Sequence, residues 1–120
     1  MSSRQRDRDS LEDILNAIER IELRTQGVLE LEFSDELVQV YVAHRLMNIG
    51  EAASRVSAEL RLAHPEVPWR LMKDMRNKIV HDYDRLSLPV LWDSVKHHLP
   101  PLAIQLRQIL ATFTPSDPLP

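Results

Sequence analysis

Apolar residues recur every three or four positions along most of this chain, with polar residues between them. The first repeat comprises Leu11, Ile14, Leu15, Ile18 and Ile21. A second repeat comprises Val38, Val42, Leu46, Ile49, Ala53, Val56 and Leu60. This spacing places the apolar side chains on one face of an α-helix. The pattern therefore predicts two amphipathic helices, the second of which continues to about Leu62.

Capping residues indicate where these two helices begin and end. Ser10, with Asp13 three residues later, resembles a capping box and predicts the start of the first helix. Gly27 ends that helix or lies in the turn after it. Ser34 is the expected N-cap of the second helix. Residues 1–9 are accordingly predicted to form a flexible N-terminal arm.

The eight prolines all lie at or after Pro65, and they divide the second half of the chain. The elements predicted there are a third helix from Trp69 to about Tyr83, a fourth opened by Ser87 and Pro89, a kink or restart at Pro100 and Pro101, and a fifth helical segment from Leu102 to Phe113. Residues 10–113 are thus expected to form one all-α domain, an antiparallel up-and-down bundle of four to five helices. Residues 114–120 are expected to be a disordered tail.

Composition excludes several classes of protein. With 120 residues the chain makes one domain, and aromatic residues at 5% with two glycines disfavour a β-sandwich or barrel. Two glycines also exclude a glycine-rich phosphate loop. The absence of cysteine excludes disulfides and a thiol nucleophile, and it fits a cytoplasmic protein. No apolar run is long enough to span a membrane. The net charge of −3 indicates that any contact with nucleic acid is local.

One short segment combines residue types that carry acid–base chemistry. Arg76, Asn77, His81 and Tyr83 lie within residues 76–83, on the last turns of the predicted third helix. Asn77 and His81 share a stripe of that helix, whereas Arg76 and His81 are about 140° apart around its axis. The side chains of Arg76 and His81 on one copy of the helix therefore do not easily reach the same atom. Either the helix loosens near its end, or two copies meet across a two-fold axis.

These residue types suit cleavage of RNA without a metal ion. Histidine can give or accept a proton near neutral pH, so two His81 side chains across a dimer axis could act as base and acid. Arg76 would stabilise the phosphate as negative charge builds. Asn77 could orient His81 or the phosphate, and Tyr83 could stack on a base. Residues 69–85 carry five basic and three acidic side chains. The candidate RNA contacts among them are Arg70, Lys73 and Lys78.

The same residues also allow an interpretation without a catalytic site. Arg76 and Lys78 would then be solvated surface, His81 a helix-terminal residue and Tyr83 the edge of the core. Spacing alone does not decide between this interpretation and a nuclease.

His97 and His98 form another candidate, a metal-binding pair. Adjacent side chains on a helix diverge by about 100°, and no carboxylate follows this pair at ligand spacing. We therefore expect both histidines on the surface and no metal site in the chain.

Several motifs in order resemble one protein family. Residues 76–83 read RNKIVHDY, which resembles the signature of the HEPN superfamily, and the surrounding sequence resembles its HepT-like branch. Residues 49–53 read IGEAA, like an element of that branch, and residues 64–69 read HPEVPW, like its HPEIPW lead-in. Leu-Trp at 91–92, followed by LPPL at 99–102, is similar to its closing helix. The resemblance covers the chain from about Asp9 to Leu110.

The resemblance implies an all-helical HEPN homodimer whose signature helices face each other. It implies a metal-independent ribonuclease toxin with Arg76 and His81 as catalytic residues and no cofactor bound by this chain. It also implies a partner, a minimal nucleotidyltransferase (MNT-type) antitoxin that uses ATP to transfer AMP to Tyr83. The added bulk and negative charge would exclude RNA from the cleft. Glu51, inside the IGEAA element, is expected at the dimer interface or lining the cleft, next to Gly50, which permits close helix approach.

A second hypothesis keeps this fold but removes the catalysis. The chain would then be a non-catalytic HEPN dimer that serves as the binding or substrate subunit of a nucleotidyltransferase. The acidic net charge of −3 suits this function. A helical bundle without any site is a third, weaker hypothesis. Asn48 is assigned no catalytic role under any of them.

Overall fold

α-Helices account for most of residues 2–29 and 32–113, which the computed structural model describes. Their bounds are Ser3–Thr25 (α1), Glu36–Ser54 (α2), Ala58–Ala63 (α3), Trp69–Asp82 (α4), Leu88–Asp93 (α5) and Leu99–Leu110 (α6). Glu32–Ser34 and Tyr83–Arg85 are 3-10 turns, and Ser94–His98 is a π-helical segment between α5 and α6. The described residues contain no β-strand, and the predicted all-α class is confirmed. The predicted tail, residues 114–120, lies outside the described residues.

The core forms where α2 packs against α1 and α4, and where α6 covers α1. The apolar stripes predicted for the first two helices are buried as expected. Their fully or almost fully buried members are Leu11, Ile14, Ile18, Ile21, Val42, Leu46, Ile49, Ala53 and Val56. None of the described helices is long and apolar enough to cross a lipid bilayer.

The first helix begins earlier than its apolar pattern predicts. α1 starts at Ser3, and the hydroxyl of Ser2 caps it by accepting a hydrogen bond from the backbone N–H of Gln5 at 3.1 Å. The predicted start at Ser10 is therefore wrong, and the structure places residues 3–9, expected as an arm, in this helix. Ser10 itself is buried on the inner face. The extra turns bring Asp7, which is 6% exposed, into the bundle.

The second helix ends earlier than predicted, at Ser54 rather than about Leu62. Its apolar spacing continues, but the backbone N–H of Ser57 donates to Asp7 Oδ1 at 2.8 Å instead of continuing the helix. The Ser57 hydroxyl donates to Asp7 Oδ2 at 2.6 Å and accepts from the N–H of Leu60 at 3.1 Å, so it caps α3. A contact between residues 50 positions apart thus breaks one predicted helix into two.

Two other helix starts differ from prediction by a few residues. Asp35, not Ser34, caps α2, because its carboxylate accepts from the N–H of Leu37 at 2.8 Å. α6 begins at Leu99 rather than Leu102. Two prolines, at 100 and 101, fit its first turn because the backbone N–H groups there need no partner within the helix. The kink or restart predicted at these prolines takes the form of a π-helical segment, Ser94–His98, which joins α5 to α6 without a break in the helical run.

The Asp7 contact makes a testable contribution to stability. Asp7→Ala removes both hydrogen bonds to Ser57 at a mostly buried position, so we expect the free energy of unfolding to fall by about 2–3 kcal/mol. Urea denaturation followed by circular dichroism measures this change. The control is Asp13→Ala, which removes one exposed ion pair with Arg55 and should cost less than about 1 kcal/mol. Equal losses in the two variants would contradict the assigned role of Asp7.

Candidate active site

α2 and α4 approach each other closely at Gly50, which is buried on α2. A β-carbon on Gly50 would collide with Cβ of Arg76 and would lie 2.6 Å from the backbone oxygen of Met72. Only glycine leaves the space that the α4 backbone occupies here. The expectation that Gly50 permits close helix approach is confirmed. Arg76 therefore emerges directly from the interface between the two helices.

Arg76 is held at this position by two neighbours. Its Nε lies 3.9 Å from Oε1 of Glu51 on α2, and its NH1 group donates to Oδ1 of Asn77 at 3.1 Å. The Arg76 side chain is 36% exposed and that of Glu51 is 44% exposed, so the pair remains open to solvent. The structure thus brings together three of the predicted residues. Asn77 contacts Arg76 in the structure, whereas the sequence suggested either His81 or the phosphate as its partner.

His81 lies in the last turn of α4 and is exposed. The helix stays α-helical from Arg76 to His81, so it does not loosen between them. Five residues of α-helix separate the two by about 7.5 Å along the axis and about 140° around it. Within the part of the chain that the structure describes, the imidazole has no hydrogen-bond or ion-pair partner. Its two nitrogens are therefore free to bind a substrate or a second copy.

Tyr83 is the first residue of the 3-10 turn that follows α4, and it is 42% exposed. Its side chain lines a cavity of about 420 Å³ between this turn, α2 and α5. The other lining residues are Glu36, Gln39, Asp84, Leu86, Leu88 and Leu91. Tyr83 is thus partly open to solvent beside this cavity and does not belong to the buried core cluster.

The three candidate RNA contacts all lie on α4 and are exposed. The side chain of Arg70 is 93% exposed, and its Nε lies 3.7 Å from Oδ2 of Asp74. Lys73 and Lys78 have no carboxylate partner among the described residues. The helix thus presents several cations on the same surface that carries His81.

One cation near this surface is not among the candidates that the sequence indicates. Arg61 lies on α3 and lines a groove that Asn77 also lines. The apolar pattern does not point to Arg61, because it predicts a second helix that continues through this residue. The local signal was present, since Ser57 followed by Glu59 is a common start for a helix.

His97 and His98, expected on the surface, are exposed there. Nε2 of His97 lies 3.9 Å from Oδ1 of Asp93, and Nε2 of His98 lies 3.3 Å from Oδ2 of the same residue. Among the described residues, no three histidine or acidic side chains are grouped so that they could hold a metal ion.

Gly50 provides a test of how the site is built. Alanine is favoured over glycine inside a helix by about 1 kcal/mol, so helix propensity alone predicts that Gly50→Ala stabilises the protein. The collision with Arg76 and Met72 predicts the opposite, a loss of about 1–3 kcal/mol from overpacking. Thermal and urea denaturation give the sign of the change. A stabilised Gly50→Ala variant would contradict the close contact between α2 and α4.

Comparisons with known proteins agree with the resemblance. Residues 14–109 match the family model described as "Ribonuclease HepT-like". A "Probable ribonuclease HepT" of Thermococcus cleftensis is 41% identical over 96 residues, which cover 79% of this chain and 87% of that protein. A "Putative RNase" of Caldanaerobacter subterraneus subsp. tengcongensis is 31% identical over 104 residues, which cover 86% of this chain and 93% of that protein. No solved structure matches significantly. The chain therefore belongs to the HepT-like ribonuclease family.

Proposed function

We propose that this protein is a metal-independent endoribonuclease toxin that acts as a homodimer. The observation that carries the proposal is the arrangement on α4. Arg76 leaves the contact at Gly50 and lies between Glu51 and Asn77, while His81 is exposed one and a half turns later on the same helix. Membership of a ribonuclease family supports the reaction class.

His81 carries the proton transfers in the proposed reaction. The 2′-hydroxyl oxygen of RNA attacks the adjacent phosphorus and loses its proton to a neutral imidazole. The bond from phosphorus to the 5′-oxygen breaks, and that oxygen takes a proton from a protonated imidazole of the second copy. The products are a 2′,3′-cyclic phosphate and a free 5′-hydroxyl. The two imidazoles end with their protonation states exchanged, so the protons balance.

Arg76 stabilises the negative charge that builds on the phosphate. A guanidinium can donate two parallel hydrogen bonds to the nonbridging oxygens, which strengthen as those oxygens gain charge. Before RNA binds, the exposed pair with Glu51 holds the side chain in place, and such pairs contribute little to stability. A phosphate can therefore replace Glu51 as the partner of the guanidinium at a small cost in free energy. Asn77 limits the rotation of Arg76 by accepting one of its N–H groups.

A second copy of the chain completes the site in this proposal. Arg76 and His81 are on different sides of one α4, so the guanidinium of one protomer and the imidazole of the other are needed at one linkage. Apolar side chains around α4 support pairing, because they are exposed in the single chain. They are Leu71 at 45%, Val80 at 44%, Leu88 at 36% and Val90 at 44% exposure.

The proposed regulation acts at Tyr83. A minimal nucleotidyltransferase antitoxin would transfer AMP from ATP to the phenolic oxygen, releasing pyrophosphate. The exposure of Tyr83 and the cavity beside it support access for such an enzyme. An adenylate so close to the end of α4 would bring negative charge and bulk next to His81, which repels an RNA phosphate.

The His81→Ala variant tests the proposed chemistry. With labelled RNA and excess EDTA, we expect wild-type protein to cleave and His81→Ala to be slower by about a hundredfold or more, because it lacks the acid and base. His97→Ala, which changes another exposed histidine, is the matched control and should cleave like wild type. Undiminished cleavage by His81→Ala would refute the assignment. A wild-type protein that binds the transferase but cleaves no RNA would favour the non-catalytic subunit.

The tyrosines test the proposed regulation. The chain has two of them, so Tyr41→Phe is a matched control for Tyr83→Phe. After incubation with a minimal nucleotidyltransferase antitoxin and ATP, wild type and Tyr41→Phe should gain mass in multiples of AMP and lose cleavage. Tyr83→Phe should gain no mass, and its cleavage rate should be the same with and without the transferase. Adenylylated Tyr83→Phe in the mass spectrum would contradict this site.

A further inference from the structure

A groove of about 830 Å³ runs beside the N-terminal half of α4. One side is formed by α4 and the other by the end of α2, by α3 and by the loop between α3 and α4. Its polar and aromatic lining includes Arg61, Trp69, Arg70, Lys73, Asp74 and Asn77. None of these residues except Asn77 takes part in the proposed cleavage step.

The charged side chains of the groove are mostly positive. Arg61, Arg70 and Lys73 face one acidic residue, Asp74, which lies 3.7 Å from Arg70. Within the described ranges, Arg61 and Lys73 have no carboxylate partner. Two uncompensated cations on opposite walls of a groove attract a polyanion, in a chain whose net charge is −3.

The groove also contains a fixed aromatic ring. Trp69 begins α4, and its indole N–H donates to the backbone oxygen of His64 at 2.9 Å. This hydrogen bond fixes the ring, which is half-buried, packs partly against the hydrophobic core and lines the groove with the remainder of its surface. An indole fixed in this way can stack with a base, and base–aromatic stacking with nearby cations is how proteins commonly hold single-stranded nucleic acid.

The groove joins the candidate active site at Asn77. That residue lines the groove and accepts the hydrogen bond from Arg76. We propose that the groove binds the single-stranded RNA on one side of the cleaved linkage, with Arg61 and Lys73 on its phosphates and Trp69 against a base. The volume suits about one or two nucleotides, since cavities of about 300–1,000 Å³ hold ligands of that size. This inference rests on the proposed function, because it names the substrate class of the same site.

The break between α2 and α3 is what places Arg61 on this groove. A helix continuous to about Leu62 would carry Arg61 along the line of α2 instead. The break depends on the hydrogen bonds from Ser57 to Asp7. Asp7 is therefore a positioning residue for the groove, through α3.

Binding of a labelled ten-nucleotide single-stranded RNA tests the groove. The assay uses full-length protein carrying His81→Ala, which keeps the RNA intact, and measures Kd at several salt concentrations. Adding Arg61→Ala and Lys73→Ala together should raise Kd about tenfold and lower the slope of log Kd against log salt by about 1.4, which is the loss of two phosphate contacts. Arg61→Lys alone, in the His81→Ala background, should leave the slope close to that of the parent protein, because it keeps the charge. Arg20→Ala, on α1 and away from the groove lining, is the control and should leave Kd and slope unchanged.

Each outcome supports or overturns the groove. An unchanged slope in the double variant overturns the groove even if Kd rises. The slope counts phosphate contacts, so a higher Kd at the same slope would mean that the substitutions disturbed the fold without removing such contacts. Polyglutamate is measured as a second probe: if the double variant loses polyglutamate binding while its RNA binding stays intact, the groove is overturned in favour of an acidic protein partner. Tighter binding of duplex than of single-stranded RNA would overturn the substrate class. RNA that binds through the groove but is not cut by wild type would refute the proposed function while supporting the groove.

Discussion

The close contact between α2 and α4 at Gly50 determines where the proposed catalytic side chains lie. Glycine inside a helix costs about 1 kcal/mol relative to alanine, so its presence there requires a compensating gain. The gain is a helix pair whose backbones nearly touch, with Met72 and Ile79 of α4 buried. Arg76 leaves this contact next to Glu51, its neighbour across the helix pair. A larger residue at position 50 would push α4 away from α2 and so separate the guanidinium of Arg76 from the carboxylate of Glu51.

Local signals predicted a large part of the fold. Helical periodicity identified the buried faces of α1 and α2, and prolines bounded the later helices correctly to within a few residues. The errors occurred where distant residues interact. Nothing near Ser57 shows that Asp7, 50 positions earlier, would accept its N–H and end α2. The early start of α1 belongs to the same contact, because the added turns carry Asp7 inward.

The candidate site shows the same division between local and distant information. The candidate residues on α4 could be chosen from the sequence, because their types suit acid–base chemistry and the motifs around them resemble the HepT-like branch. Their partners depend on how the helices pack, so the contact of Glu51 with Arg76 and the position of Arg61 could not be predicted from spacing. The exposure of His81 and Tyr83 likewise follows from packing. An acidic chain thus presents several cations on one surface, and the proposed contact with RNA there should depend strongly on salt.

The chemistry of the RNA ends formed by wild-type protein tests the central claim most directly. If an imidazole removes the proton of the 2′-hydroxyl, mass spectrometry of products made in EDTA should show 2′,3′-cyclic phosphate and 5′-hydroxyl ends. A substrate with 2′-deoxyribose at the cleaved position should remain intact. Products that carry 3′-hydroxyl and 5′-phosphate ends, or cleavage of the deoxy substrate, would contradict attack by the 2′-hydroxyl and the role assigned to His81.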